Sequence, residues 1–519
     1  MNFRIILCAI AMAVAAQAAA APRYIYVFHN LNSFVGTAEQ ELAVEAYKGL
    51  EEVGRRNGIT VEPFFTGLSF EMYQRMAPEL LEALKKSGRD WHHHGANRAP
   101  NPQPIQRVAN KTWPEAIRAI EEYESSALDI RTGKLDPSRP GGLTRMVEYF
   151  GRPPLATGRF VRAPIMAAIK DRYGAKMGVG THDWFGVPSS WLWYMGTLNR
   201  PDDAFVHPNW DFMEWVRVEW AVKRGEDPKT VKRSRPNEPW DIFAKIDERL
   251  KQLDPDTPAF LVFGFHNNDL FGFNFETKTR FEPEYRKYFL EKMDEFLKWA
   301  IQKKGFQPVT LRRAYDMARA NFITPTVADA PVLASQIVES VEKQKSLPLY
   351  VRAPRSGHSL VEAWQVLAAA LTGRQAEVKD LLGPVELVPL SAQPVGATGE
   401  EVRAAVRALP AASSIPARVS VAGKLANAGE FLYLMARVVA GAKAAEAPPV
   451  AMTPPVAARE ERFGDALSLL QMWTYKPAYF GKAGARLQRA TSVEVNLRTG
   501  RMQRDDEMRL LRPEDRPPW

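Results

Sequence analysis

Tyr24-Ile25-Tyr26-Val27-Phe28 is an uninterrupted apolar run, and the polar pair His29-Asn30 follows it directly. A short continuous run of aromatic and β-branched residues predicts a buried β-strand. Apolar residues at helical spacing then extend from Ala38 to Asn57, which predicts a helix immediately after the strand. A strand followed by a helix is the building unit of an α/β protein.

The same alternation continues along the chain. Predicted strands are Thr60–Phe65, Phe160–Val161, Lys176–Val179 and Ala259–Phe265, and predicted helices are Ser69–Ser87, Ala167–Tyr173 and Tyr285–Lys304. Alternating strands and helices predict a parallel sheet or barrel with helices packed around it. Two insertions are placed to form the rim of a cleft: Asn97–Arg152, with a helix near Pro114–Ser125, and the Trp-rich segment Pro188–Arg249.

Composition restricts the class of protein. The chain has 519 residues, which at roughly 100 to 200 residues per domain predicts two or three domains. The hydrophobic fraction of 45% and the charged fraction of 25% are typical of a soluble globular protein and exclude bulk disorder and a polytopic membrane protein. The net charge of +9 comes from scattered basic residues without interleaved aromatic residues, so we expect no nucleic-acid partner.

Residues 1–21 have the features of an export signal. Arg4 gives a positive start, Ile5–Val14 is a short apolar run, and Ala16-Gln17-Ala18 offers small residues for cleavage. No later stretch reaches the roughly eighteen apolar residues of a membrane helix, so we expect a periplasmic or secreted protein without membrane insertion. Cys8, the only cysteine, lies in this signal, so any metal must be held by His, Asp, Glu or Asn.

The rest of the chain divides by composition into three parts. Residues 22–322 contain the alternating strands and helices, residues 323–440 are richer in Ala, Val and Pro, and residues 441–519 form an Ala/Pro linker and a tail. The middle part, predicted to be smaller and mainly helical, contains an internal repeat. Its first copy has Pro348, Val351, Glu362 and Ala368, and its second has Pro416, Val419, Glu430 and Ala436 at the same spacing. Each copy predicts a short extended piece followed by an apolar helix.

The second copy of this repeat, Ile415–Ala436, resembles the pseudomurein-binding repeat, a small module that attaches proteins to cell-wall polymer. The resemblance implies cell-wall binding by residues 323–440. The alternative is a helical accessory domain that only packs on the α/β part.

Histidines mark the place where chemistry is expected. Of eight histidines, six lie at or just beyond predicted strand ends: His29, His92, His93, His94, His182 and His266. The carboxyl ends of parallel strands meet at one edge of a sheet or barrel, so side chains far apart in sequence come together there. The sequence therefore predicts a common site at this edge.

Between Arg23 and Ala314, five segments resemble in order and spacing the motifs of the polysaccharide deacetylase superfamily. Phe28-His29-Asn30 stands where the family has Phe-Asp-Asp, and Gly88–Arg98 places His94 and Arg98 at its two metal-binding histidine positions. The other three segments are Phe160–Ile165, which matches Arg-x-Pro-Tyr through Arg162, Thr181–Trp184, which matches a motif ending in Asp-Trp, and Leu261–His266, which matches an apolar strand ending in His.

This resemblance implies an irregular (β/α) barrel with a divalent metal that removes acetyl groups, as amides or esters, from a polysaccharide or cell-wall glycan. By position, His29 corresponds to the general base and His266 to the acid that protonates the leaving group. Arg162 corresponds to an arginine that holds a catalytic carboxylate. Its partner here is Asp183 or Asp269, or an anionic group of the substrate.

The metal ligands depart from the family's pattern. Only His94 remains in place, because Asn30 is a weaker neutral ligand and Arg98 does not ligate metals. On an extended segment His92 and His94 point to the same side, so this pair is able to join His29, Asp183 or His266 around Zn²⁺. The predicted metal ligands are His94, His92 and His29.

Substrate contacts are predicted from residues next to these motifs: Trp184, Asn30, Asn97, Arg98 and Asn267. Tryptophan faces stack on sugar rings, but tryptophans also fill cores. Both roles stay open for Trp184, Trp191 and Trp193, whereas the helical spacing of Trp210, Trp215 and Trp220 favours the core.

Two other functions remain open from the sequence. One is a non-catalytic carbohydrate-binding protein that keeps the barrel and has lost the metal ligands. The other is a glycoside hydrolase on a related barrel, for which Asp183, Asp269 and Glu276 are the candidate carboxylates.

Overall fold

A computed structural model describes residues 22–31, 37–94, 111–129, 134–158, 163–181, 191–201, 209–231, 240–251, 258–266, 273–274, 279–280, 282–354, 356–452, 470–478, 493–496 and 501–504. The predicted signal, 1–21, and the predicted strand Phe160–Val161 lie outside these residues. No helix in the described ranges combines the length and apolar character needed to cross a membrane.

The first part of the chain contributes thirteen described strands. They are β1 (Arg23–Leu31), β2 (Val61–Phe65), β3 (His92–His93), β4 (Ser126–Leu128), β5 (Leu135–Pro140), β6 (Ala156–Gly158), β7 (Met177–Thr181), β8 (Leu192–Tyr194), β9 (Thr197–Pro201), β10 (Ala259–His266), β11 (Phe273–Asn274), β12 (Thr279–Arg280) and β13 (Gln307–Pro308). The described helices of this part are α1 (Thr37–Arg56), α2 (Gly67–Met76), α3 (Pro78–Ser87), α4 (Trp113–Ser125), α5 (Gly142–Phe150), α6 (Ala163–Tyr173), α7 (Asn209–Lys223), α8 (Ile242–Lys251), α9 (Pro283–Lys298) and α10 (Leu311–Ala320).

The later part has shorter strands. They are β14 (Val351–Ala353), β15 (Ser356–His358), β16 (Val395–Thr398), β17 (Arg418–Val421), β18 (Lys424–Asn427), β19 (Ala444–Ala447), β20 (Lys476–Pro477), β21 (Val493–Asn496) and β22 (Arg501–Arg504). Its helices are α11 (Ala330–Gln344), α12 (Leu360–Thr372), α13 (Gly399–Arg407) and α14 (Ala428–Val439). Strand β19 lies within the stretch where we expected the Ala/Pro linker, and it pairs with β16.

One large sheet organises the first part, in the order β10-β1-β2-β3-β6-β7-β9-β8-β20, with β13 beside β1. The strands from β10 to β9 run parallel to their neighbours, and β8 and β20 are antiparallel additions at one edge. The chain is therefore a mixed α/β protein, as the alternation predicted.

Both faces of this sheet are covered, which explains why its strands are continuous apolar runs. Val27 and Phe65 pack on one face with Leu50 of α1, while Phe28 and Phe64 pack on the other with Leu311 of α10. We call the second face the inner face.

The sheet curls into part of a barrel. Trp191, next to β8 near one edge, has its ring centroid 5.2 Å from that of Phe260 on β10, the strand at the other edge. The same indole lies 6.1 Å from the ring of Tyr26 on β1. A flat sheet of this width would hold these rings far apart, because neighbouring strands are about 4.8 Å apart.

The predicted helix Ser69–Ser87 is two helices. Helix α2 ends before Ala77, and α3 begins with Pro78 at its first turn. A proline lacks the N–H that a continuing helix needs, so the chain breaks at this point.

The later part has a core of its own that includes residues of α11, α12 and α14. Each copy of the sequence repeat is a β-hairpin followed by a helix: β14 and β15 before α12, and β17 and β18 before α14. Both helices begin with a capping box, formed by Ser359 with Glu362 and by Asn427 with Glu430.

Residues 470–478 join the two parts. Trp473 is buried in the core of the later part, while Lys476 and Pro477 form β20 beside β8 of the large sheet. The backbone N–H of Met195, after β8, also donates to Thr474 Oγ1 at 2.6 Å. The edge of the sheet is thus completed by residues far along the chain.

Candidate functional site

Four predicted site residues lie together at the carboxyl edge of the parallel strands. Asn30 on β1 is opposite His266 on β10 and Phe64 on β2, and Phe64 is opposite His92 on β3. These residues form one row across four adjacent strands. His29 is one position earlier on β1, opposite Phe265 and Pro63. The backbone therefore brings His29, Asn30, His92 and His266 to one place.

His92 is completely buried on the inner face. Its ring stacks on that of Phe64, with centroids 4.5 Å apart and an interplanar angle of 24°. Its Nε2 lies 3.4 Å from Glu62 Oε1, and within the described ranges neither ring nitrogen makes a hydrogen bond. Buried polar groups normally have partners, so His92 is a candidate for a further ligand.

Glu62 is held by the start of a helix. Its Oε2 accepts the backbone N–H of Leu311 at 2.8 Å, at the first turn of α10. A carboxylate at a helix N-terminus satisfies an otherwise unpaired N–H group and opposes the positive end of the helix dipole. One carboxylate oxygen of Glu62 is thus hydrogen-bonded to α10, and the other faces His92.

His93 contacts a different set of groups. Its Nε2 lies 3.4 Å from Glu124 Oε2 on α4, and its Nδ1 lies 3.2 Å from Thr157 Oγ1 on β6. Both His93 and Glu124 are buried. Because α4 belongs to the first predicted insertion, this pair attaches the insertion to the sheet. We assign His93 this structural role.

His94 is also buried, and its backbone N–H donates to the carbonyl of Phe65 at 2.8 Å. This hydrogen bond continues the pairing of β3 with β2 by one residue. It keeps all three histidines at the same edge of the sheet.

Glu62 and Glu124 were not predicted as site residues. The signal for Glu62 was a single carboxylate inside the apolar strand Val61–Phe65, where a charged residue needs a partner. For Glu124 no comparable signal exists, since it lies in an ordinary amphipathic helix.

Several predicted site residues lie outside the described residues: Arg162, Asp183, Trp184, Asn97, Arg98 and Asn267, together with the glycosidase candidates Asp269 and Glu276. For His29, Asn30 and His266 the description stops at their strand positions. The catalytic and substrate-binding assignments therefore stay predictions. Among the residues that are described, no group of three His, Cys, Asp or Glu is placed to hold a metal ion.

Two of the tryptophans for which both roles stayed open belong to the core. Trp191 and Trp193 are 1% and 4% exposed and belong to the core on the inner face. Trp193 packs edge-on against Tyr315 and Phe322. Curling of the sheet turns these residues inward. Trp215 is buried in the other core, as its helical spacing predicted.

A second buried polar cluster lies where the two parts meet. Ser356 Oγ is 2.8 Å from His358 Nε2, His358 Nδ1 is 3.7 Å from Glu362 Oε2, and Glu362 Oε1 is 2.5 Å from Lys476 Nζ. This order matches a serine–histidine–carboxylate triad. However, a Cβ on Gly357 would lie 2.9 Å from Pro477 Cγ, so β20 covers this hairpin closely and leaves no room for a substrate. The cluster connects the parts of the chain.

Comparison with known proteins gives weak neighbours. No family model matches the sequence, and no curated protein matches it. Eleven solved chains match by structure. A 4-α-glucanotransferase from Thermococcus litoralis has a TM-score of 0.32 and 14% identity, over 62% of this chain and 45% of that one. A protein assigned as a polysaccharide deacetylase from Mycobacterium smegmatis has a TM-score of 0.29 and 9% identity, over 57% of this chain and 96% of that one.

The chain thus spans less than half the length of the glucanotransferase. At TM-scores this low, neither neighbour assigns a fold family or an activity to this chain. What the described residues define is an α/β protein with a curled parallel sheet and a histidine-rich carboxyl edge.

Proposed function

We propose that this chain is an exported carbohydrate-active hydrolase of polysaccharide-deacetylase type, which removes acetyl groups from a polysaccharide or cell-wall glycan with the help of a divalent metal, zinc. One observation carries the proposal: His266, Asn30 and His92 occupy the same row of adjacent parallel strands, with His29 one position away. Active sites of parallel-stranded barrels lie at this edge.

The surroundings of His92 support a metal-binding role. Metal-ligating histidines usually direct one ring nitrogen to a carboxylate, which orients the ring and raises its basicity. The Nε2 of His92 faces Glu62 in this way, so Nδ1 is the nitrogen available to a metal. His94 and His29 would complete the histidine set, and imidazole nitrogens suit zinc.

A bound zinc ion would supply Lewis-acid chemistry, polarising the acetyl carbonyl and lowering the pKa of a water molecule. Residues of the chain would then carry out the proton transfers. His29, where it is not a metal ligand, is proposed as the base that removes a proton from the attacking water, because a zinc-bound imidazole has no lone pair left for a proton. His266 is proposed as the acid that gives a proton to the leaving amine or alcohol. Arg162 and Asp183 are proposed to orient these groups as an ion pair, and Trp184 to contact the sugar.

The later part of the chain is proposed as an accessory module that binds cell-wall glycan. Its two hairpin-and-helix units place the repeated residues at equivalent positions, as with Glu362 and Glu430 at the third position of their helices. Repeated structural units stack into extended binding surfaces, which suits a repetitive polymer.

Metal content and acetate release test the enzyme proposal together. The chain is purified without a histidine tag, incubated with excess zinc, dialysed and measured by elemental analysis, beside His94→Ala, His29→Ala and the control His207→Ala. We expect about one zinc per chain in the wild type and the control, and loss of the metal in His94→Ala. Acetate is then measured after incubation with acetylated glycans.

Other results would point elsewhere. Absence of bound metal after incubation with zinc would exclude the metal-dependent mechanism. Binding of a glycan without release of acetate would make the protein a carbohydrate-binding protein, and new reducing ends in place of acetate would make it a glycoside hydrolase.

A further inference from the structure

We propose that a cavity beside the candidate site binds a sugar ring that carries a carboxylate, so that the preferred glycan contains uronic acid residues. The inference rests on the proposed function for the glycan and names its chemical class. The cavity has a volume of about 240 Å³ and is lined by Glu71, Ala127, Arg139, Pro140, Gly142 and Arg145.

The cavity lies on the side of the sheet where the histidines are. Helix α2, which carries Glu71, begins directly after β2, so its first turns are at the carboxyl edge of the strands. Helix α5 precedes β6, so its first turns, with Gly142 and Arg145, are at the same edge. The hairpin of β4 and β5 supplies the remaining wall. The cavity is therefore part of the rim that the first insertion forms.

One arginine of the cavity is held in place. Arg145 Nη1 donates to Glu71 Oε1 at 2.5 Å, and Nη2 donates to Gln74 Oε1 at 3.2 Å. Two different partners on α2 thus orient the guanidinium group. A charged donor that is already oriented loses less entropy when a ligand binds.

The second arginine is available to a ligand. Arg139 is exposed at the end of β5 and has no ion pair with any residue in the described ranges. The nearby carboxylate Asp136 accepts hydrogen bonds from the backbone N–H and the Oγ of Ser138. Two guanidinium groups and one carboxylate therefore line the cavity, so its lining has a net positive charge, and Asp136, which lies near enough to attract Arg139, reduces this charge without forming an ion pair.

This chemistry selects a carboxylate on a ring-shaped ligand. The planar guanidinium group binds a carboxylate through two parallel hydrogen bonds. Ala127 and Pro140 add apolar surface on which the C–H face of a sugar packs. A volume below the roughly 300 to 1,000 Å³ of pockets for larger ligands suits a single sugar residue.

Calorimetric titration with defined trisaccharides tests the proposal. The probes are the trimers of galacturonate, glucuronate and mannuronate, each beside its methyl ester, which keeps the sugar and removes the charge. We expect at least one acid to bind at least about tenfold more tightly than its ester, as a charge-assisted hydrogen bond predicts. Arg139→Gln should weaken binding of that acid by about tenfold or more.

The matched control is Arg118→Gln, on the exposed face of α4 and outside the cavity lining, where affinity should be unchanged. Ala127→Leu, which fills the cavity without changing charge, should also weaken binding. Thermal unfolding of each variant shows that the fold is kept. The proposal is overturned if none of the three acids binds, if acid and ester bind equally, or if Arg139→Gln binds like the wild type.

Two further readouts separate this proposal from the proposed function. Zinc content, and acetate release from a neutral acetylated oligosaccharide, should be the same in Arg139→Gln and in the wild type. If the protein binds a uronate in a charge-dependent way but binds no metal and hydrolyses no substrate, the result would support the proposed ligand of the cavity and contradict the proposed enzymatic function. Hydrolysis of neutral substrates without uronate binding would contradict only the proposal that the cavity binds a uronate.

Discussion

Lys476 Nζ lies 2.5 Å from Glu362 Oε1, and the two side chains are only 6% and 8% exposed. Lys476 is on β20, at the edge of the large sheet, and Glu362 is in the first turn of α12. The lysine also lies over the ring of Phe322, with Nζ 3.3 Å from the centroid. This ion pair connects residues 470–478 to the later part of the chain.

Replacement of Lys476 by methionine should destabilise the protein. It removes the charge that compensates the buried Glu362 and keeps most of the side-chain volume, and breaking such a pair costs about 3 kcal/mol or more. Urea unfolding measures the loss. The control Lys379→Met removes a lysine from an ion pair with Glu377 in which both side chains are at least 70% exposed, and should change stability by less than about 1 kcal/mol. Equal effects of the two substitutions would contradict the role assigned to Lys476.

The contribution of Glu362 should depend on pH. Burial alone would raise the pKa of this carboxyl, but the neighbouring His358 ring, the charge and hydrogen bond of Lys476 and the hydrogen bond from the backbone N–H of Ser359 hold it below its usual 4.5. Burial also lowers the pKa of Lys476, against the attraction of Glu362. We take Glu362 as ionised in the folded protein at neutral pH, because its oxygens accept hydrogen bonds from Lys476 Nζ and from the backbone N–H of Ser359.

A carboxyl whose pKa is lower in the folded than in the unfolded state stabilises the fold above the unfolded value. That stability is lost as the pH falls through the folded value. The difference in unfolding free energy between the wild type and Glu362→Gln should therefore be constant at neutral pH and shrink between about pH 5 and pH 3. A difference that stays constant over this range would show that the carboxyl is not ionised in the folded protein.

Gly264 should not tolerate a side chain. A Cβ at this position would lie 1.9 Å from Cζ of Phe28, whose ring covers the glycine across the β1–β10 pair. Gly264→Ala should cost about 1 to 3 kcal/mol by overpacking. The double variant with Phe28→Leu should recover part of the loss, which a double-mutant cycle measures. Gly396→Ala, in a strand with no atom within 4 Å of the added Cβ, is the control and should be neutral or slightly stabilising.

Glu62 should contribute both to the stability of the fold and to the proposed metal binding by His92. Glu62→Ala removes the acceptor of the Leu311 N–H and the carboxylate beside the His92 ring, and should cost about 2 to 3 kcal/mol. Glu62→Gln keeps an oxygen for the N–H, so it should be less destabilising and yet still lower the affinity for the proposed zinc ion by about tenfold or more. Elemental analysis and urea unfolding separate the two effects. Glu79→Ala, which loses only an exposed pair with Lys48, serves as the control.

The sequence predicted the elements whose pattern is local. The strand predicted at Ala259–Phe265 is observed as Ala259–His266, and the helix predicted at Ala38–Asn57 is observed as Thr37–Arg56. The spacing of apolar residues was enough to predict these elements, because that spacing reflects which side of the element faces a core. The break at Ala77 was also signalled in the sequence, by Pro78, but apolar spacing across it suggested a single helix.

Contacts between distant segments were not predictable in this way. The pairing of Lys476 and Pro477 with Trp193 and Leu192 depends on how the sheet curls, which local spacing does not report. The same curl placed Trp191 in the core. At the site, strand ends predicted that His92 and His266 lie in one region, whereas the partner Glu62 became evident only from the position of α10.

The position of β20 affects how the nascent chain folds during synthesis. A ribosome releases the residues of β8 long before it releases Lys476 and Pro477, the residues that cover this strand. Until then the large sheet has an open edge next to Trp193, and such an edge is a place where other chains attach. The large sheet of the first part therefore cannot be completed until residues near the end of the chain have been synthesised.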